Sequence, residues 1–79
     1  MVKHFILYGS EGCHLCELAE ELCQPILASN IRHVDIVSDE RLVEQFGVHI
    51  PVLQHEPSGK NLFWPFTQGD VEEFANQWN

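Results

Sequence analysis

The first apolar run, "VKHFILY" (2–8), is dense in strand formers and stops at Gly9 and Ser10, which predicts a short strand buried on both faces. From Leu15 the period changes. Leu15, Leu18, Ala19, Leu22, Cys23 and Ile26 fall at i, i+3, i+4, i+7, i+8 and i+11, one face of a helix, and Glu17, Glu20 and Glu21 fall outside it. Pro25 lacks an N–H and its ring opposes the carbonyl of Glu21, so the helix is expected to kink or end there. "IRHVDIV" (31–37) alternates Arg32, Val34 and Ile36 with Ile31, His33, Asp35 and Val37 and reads as a second strand. Strand, crossover helix and strand in this order make a right-handed parallel unit. Ser38 or Asp39 is placed to cap a short helix through about Phe46, with Gly47 as its left-handed stop. "VHIPVLQHE" resumes an extended pattern, and "PSGK" (57–60) turns it into "NLFW", which predicts an antiparallel hairpin. Asp70 and Glu73 have capping-box spacing at the head of a last helix, whose inner face carries Val71, Phe74, Ala75 and Trp78. The predicted order is βαβαββα.

Composition narrows the class without changing this order. Seventy-nine residues, 44% hydrophobic and 20% charged, suit one globular domain over 1–79, since single cores run from ~50 to ~200 residues. The apolar run before Gly9 is too short for an export signal or a membrane span, so a cytoplasmic protein without a membrane partner is expected. Twelve acidic residues against four basic ones give a formal charge of −8, and Lys3, Arg32, Arg41 and Lys60 are scattered. Nucleic acid is not an expected partner, because phosphate binding needs a concentrated basic face.

The chemistry lies in "EGCHLCELAE" (11–20), which holds Cys13 and Cys16. A thiol attacks disulfides only as thiolate, and the unpaired N–H groups and dipole at a helix start favour that form. Gly12 lets the backbone turn from strand to helix just before Cys13. Cys13 would then be the exposed nucleophile, and Cys16, almost a turn inside, the more shielded resolving thiol. His14 is a solvent-facing spacer that can tune the pair. Two other readings remain: small buried side chains, or half of a zinc or iron–sulfur site that His49 would help complete. Only one Cys-x-x-Cys exists, so no metal is expected. Cys23 lies about 10 Å along the helix from Cys16, too far for a disulfide, and is expected in the core. Trp64, Phe66 and Trp78 are expected core aromatics, and His4, His33 and His55 carry no chemistry of their own.

With Cys-x-x-Cys between the first strand and first helix and "HIPVL" opening the third strand, the chain resembles the thioredoxin superfamily and, within it, the glutaredoxin-like branch. "GCHLCELA", "GVHIPVL" and "WPF" (64–66) are similar to segments of small bacterial glutaredoxin-like proteins of uncharacterised function. The resemblance covers nearly the whole length. It implies an α/β, thioredoxin-like fold with a four-stranded mixed sheet in the order 2-1-3-4, the first and third helices on one face and the second on the other. It also implies that Pro51 is cis and faces the cysteine pair, with the backbone of Ile50 open to an extended substrate segment.

The activity so implied is a thiol–disulfide oxidoreductase exchanging a Cys13–Cys16 dithiol with protein or low-molecular-weight disulfides. Its poise would lie at about −200 to −270 mV. The alternative on the same fold is a non-catalytic redox-sensing or protein-binding module. Expected substrate-binding residues are His14, Ile50, Pro51, Gly69 and Asp70. "TQGD" (67–70) falls where glutaredoxins hold one end of glutathione, and Gly69 with the helix-start N–H groups could take a carboxylate. Gly69 and Asp70 could equally just begin a helix. No cofactor is expected; glutathione is a candidate co-substrate, though Glu11 and Glu17 stand where glutaredoxins keep a basic residue. The expected partner is a protein disulfide or a reductase, and the expected state a monomer.

Overall fold

The computed structural model describes residues 3–78, so Val2 of the expected first strand lies outside the described residues. Strand β1 (Phe5–Gly9) forms the middle of the sheet, running parallel to β2 (Ile31–Asp35) on one side and antiparallel to β3 (Val52–His55) on the other. Strand β4 (Lys60–Phe63) completes the order β2-β1-β3-β4. Paired on both edges, β1 sends Phe5 and Leu7 to one face and Ile6 and Tyr8 to the other, each at most 7% exposed. That double burial is why the run is continuously apolar.

Helices α1 (His14–Leu27) and α3 (Gln68–Asn76) cover the Phe5/Leu7 face. Ala19, Cys23 and Leu27 of α1 meet Leu53, Val71 and Phe74 there in the larger core. On the opposite face Ile6, Tyr8 and Val52 pack with Ile36 and with Phe46 of α2 (Glu40–Phe46), whose ring stacks on Tyr8 at 4.7 Å. Full burial of each Leu, Ile, Val or Phe among them contributes roughly 1.5–3 kcal/mol. Trp64 and Trp78 pack on the larger core and Phe66 is buried in it.

Several local expectations are corrected. Of the kink or end expected at Pro25, the end does not occur: α1 runs on to Leu27, which continues the buried row Ala19, Cys23, Leu27. Leu15, which would extend that row, is 44% exposed, and Leu18 is 37% exposed. The second strand ends at Asp35; its carboxylate accepts from the Val37 N–H and starts a 3₁₀ turn over Ile36–Ser38. Asp39 caps α2, but Gly47 is right-handed (φ −50°, ψ −40°), and glycine is needed because a methyl would press on the Val43 carbonyl oxygen. The capping box of α3 is Thr67 with Asp70, one turn earlier than Asp70 with Glu73. Phe66 and Val71, both in the larger core, bracket that cap in the N′ and N4 positions of a hydrophobic staple.

His55 is buried at 6% exposure, its ring 3.7 Å from that of Trp78 and nearly parallel, with Nδ1 2.8 Å from Ser58 Oγ. Among the described residues, no helix is long and apolar enough to cross a membrane.

Candidate functional site

Chain reversal between β1 and α1 is built by a turn in which the Cys13 N–H donates to the Ser10 carbonyl at 3.2 Å. Gly12 has φ +79°, the value that the third position of a type II turn demands. Cys13 is then the N-cap of α1: its backbone is extended, and its Sγ accepts from the Cys16 N–H at 3.1 Å. Cysteine thus fills a place usually held by Ser, Asp or Asn, with its sulfur among the unpaired N–H groups of a 14-residue helix. Cys13 and Cys16 are joined by a disulfide, their α-carbons 5.2 Å apart.

Both cysteines are half-buried, so exposure alone does not rank them. Their surroundings do. Cys13 caps the helix, whereas Cys16 packs on the end of β1: a Cβ added to Gly9 would lie 3.0 Å from Cys16 Sγ. Gly9 is a site residue that the sequence reading took only as a strand stop. Cys23 lies in the larger core, fully buried, and burial followed by the charge of Glu20 pushes its thiol up to about 12.

A cleft of about 420 Å³ opens beside the disulfide, between the start of α1 and the end of β2. Leu7, Gly9, Val34, Cys13 and Cys16 contribute to its lining. Glu11, Glu17, Glu20 and Asp35 complete the lining with His33. Glu20 Oε1 is 3.5 Å from His33 Nε2, and Glu17 Oε2 is 3.6 Å from His14 Nδ1, both pairs on the surface.

The remaining expected residues do not line that cleft. The Ile50–Pro51 bond is cis, and Pro51 is fully buried. The β1–β3 register pairs Tyr8 with Val52, so the next step brings Pro51 alongside Gly9, the residue on which Cys16 rests. Of the Ile50 backbone, expected to be open to an extended substrate segment, the N–H donates to the Phe46 carbonyl at 3.0 Å. Asp70 is engaged in capping: its carboxylate accepts from the Thr67 N–H at 2.8 Å and its own N–H donates to Thr67 Oγ1 at 3.1 Å. Gly69 faces no close approach, the nearest atom to an added Cβ being Thr67 Oγ1 at 3.7 Å. Asp70 thus caps α3, and Gly69 lies in its first turn. His49, considered as a metal ligand, packs edge-on against Phe63 at 5.2 Å. Among the described residues, no group of three His, Cys, Asp or Glu side chains is placed to hold a metal ion.

The profile of the family described as Glutaredoxin-like domain (DUF836) matches residues 4–75, which includes the cysteine pair, the cis-proline and most of α3. The chain belongs to this glutaredoxin-like family. The glutaredoxin-like domain is similar to Northeast Structural Genomics target protein XcR50 from X. campestris. The X-ray structure of that protein is 31% identical over 95% of this chain and 99% of the other, with a TM-score of 0.84. Its solution structure gives 30% identity over 96% of each chain and the same TM-score. Protein Ne2328 from Nitrosomonas europaea, at 23% identity over 94% of this chain and 92% of that one, shares the fold with a TM-score of 0.70. No curated protein matches the chain. A glutaredoxin-like domain with a Cys-x-x-Cys pair at disulfide distance fits a thiol redox role.

Proposed function

We propose that the protein is a thiol–disulfide oxidoreductase in which Cys13 is the nucleophile and Cys16 the resolving thiol. The observation that carries this reading is the Cys13 sulfur at the N-cap of α1, accepting from the Cys16 N–H while bonded to the Cys16 sulfur. Once reduced, Cys13 keeps that position, and the helix N–H groups favour its thiolate over its thiol.

The reduced Cys13 thiolate attacks one sulfur of a substrate disulfide. A bond forms between Cys13 Sγ and that sulfur, the substrate S–S bond breaks, and the other substrate sulfur leaves as thiolate and takes a proton from water. Cys16 then gives its proton to solvent and attacks Cys13 Sγ, releasing the second substrate thiolate, which is also protonated. Two electrons pass from the protein pair to the substrate, and a dithiol protein returns them by the reverse exchange. Glutathione is a poor candidate for that return, because Glu11 and Glu17 flank the pair and no Lys or Arg lies between Lys3 and Arg32.

Alkylation of the reduced protein as a function of pH tests the assignment. Cys13 should react first, with a midpoint below the ordinary ~8.5 of a free thiol, while Cys23 stays unmodified until the protein unfolds. Faster labelling of Cys16, or a Cys13 midpoint at the ordinary value, would remove the mechanism. Failure to reduce mixed disulfides, together with a change in partner binding on oxidation, would make the pair a switch rather than a catalyst.

A further inference from the structure

We infer that the cleft beside the disulfide receives a lysine or arginine side chain of the protein whose disulfide Cys13 attacks. The protein would thereby select substrates whose cysteine has a basic neighbour. The inference rests on the oxidoreductase reading and adds the chemistry of the partner. Three features of the cleft converge on that occupant.

First, Cys13 and Cys16 contribute to its lining, so a substrate sulfur bonding to Cys13 sits at the cleft's edge with its neighbouring side chains within reach of it. Second, Leu7, Gly9, Cys13 and Cys16 give part of the lining an apolar character. A lysine or arginine stem can lie along such a surface while its charged head stays at the polar rim. The volume of about 420 Å³ falls in the range of sites that hold a small ligand. Third, the rim carries Glu11, Glu17, Glu20 and Asp35, and none of the four Lys and Arg residues lines it. Glu20 has the surface imidazole of His33 beside it, and Asp35 uses one oxygen to accept from the Val37 N–H. A cation entering here meets carboxylates against low-dielectric walls, where field lines concentrate. The site lies on the β2 side of β1, whereas Pro51 lies on the β3 side.

The test uses a single-cysteine peptide held as a mixed disulfide with a small neutral thiol, with either lysine or glutamine two residues from the cysteine. Reduction by the full-length dithiol protein is followed at low salt. The lysine peptide should react about tenfold faster than the glutamine peptide, as focused charge implies. That ratio should fall towards one when Glu17→Gln, Glu20→Gln and Asp35→Asn are combined. A second triple variant, Glu44→Gln, Glu72→Gln and Glu73→Gln, removes the same charge from α2 and α3 and should preserve the ratio. Equal rates for the two peptides in the wild type would overturn the inference while leaving the oxidoreductase reading intact. Equal loss of the ratio in both triple variants would also overturn it, since overall charge would then suffice. If neither peptide is reduced, the redox reading fails and binding decides the cleft. The Cys13→Ser, Cys16→Ser protein should then bind the lysine peptide more tightly than the glutamine peptide. Indifference between the two peptides would overturn the inference there too.

Discussion

Gly9 shows how much of the redox chemistry depends on an atom that is missing. The Cys16 sulfur occupies the space a Cβ at Gly9 would crowd, 3.0 Å away. In the oxidised protein that sulfur is tied to Cys13, whereas in the reduced protein it can rotate aside. Gly9→Ala should therefore burden the disulfide more than the dithiol. Overpacking of ~1–3 kcal/mol corresponds to a potential about 20–60 mV higher. Equilibration with dithiothreitol would measure it, and an unchanged potential would show that the contact relaxes without cost. The role of Gly9 was not legible in the sequence, because which atom a strand-end glycine faces depends on how α1 lies on β1. Cys13 and Cys16 were legible, because their spacing and the Gly12 turn are local. Asp70 was half legible: Thr67-x-x-Asp70 and Asp70-x-x-Glu73 have the same spacing. Only the burial of Phe66 beside Val71 selects the first.

At the scale of elements, apolar periodicity gave the number, type and order of strands and helices, and the errors gathered at ends. The end of α1 is an example. Pro25 fits the ordinary rule for a helix stop, yet burial of Leu27 carries the helix two residues further. The chain then leaves α1 through Ala28, with φ +48° and ψ −117°, and the Asn30 N–H returns to the Leu27 carbonyl at 2.8 Å. These are the angles and bond of a type II′ turn, whose first central position favours glycine. Ala28 is the one non-glycine residue with positive φ among the described residues. Ala28→Gly should remove that strain and stabilise the fold by about 1 kcal/mol, or roughly 4–8 °C in Tm. Calorimetry on the oxidised protein would read it. A lower Tm would mean that the flexibility gained by the unfolded chain outweighs the strain relieved.

The molecule as a whole carries −8 in formal charge, and that sets its response to salt. Repulsion of an anion is screened over ~8–10 Å at physiological ionic strength. Added salt should therefore speed reduction of the protein by glutathione, as stopped-flow fluorescence can follow. A rate as high at low salt as at high salt would mean that the acidic surroundings do not oppose glutathione. Global stability should also depend on pH through His55. Burial, and after it His4, holds this imidazole below its usual range. The unfolded chain then takes up the proton more readily, so stability is full above ~6.5 and declines as pH falls through the lower folded value. A His55→Phe variant, which keeps a ring against Trp78, should show a shallower loss of Tm between pH 7 and 5 than the wild type. Equal slopes would assign the acid response to other groups. Strand β1, hydrogen-bonded along both edges and covered on both faces, ends at the cysteine pair. Its amides should exchange with solvent only when the whole domain opens, while those of residues 10–12, in an exposed turn, should exchange by local fluctuation. The pair is thus suspended between a slowly exchanging strand and a faster exchanging turn, so that Cys13 can adjust to an incoming sulfur without loosening the core behind Cys16.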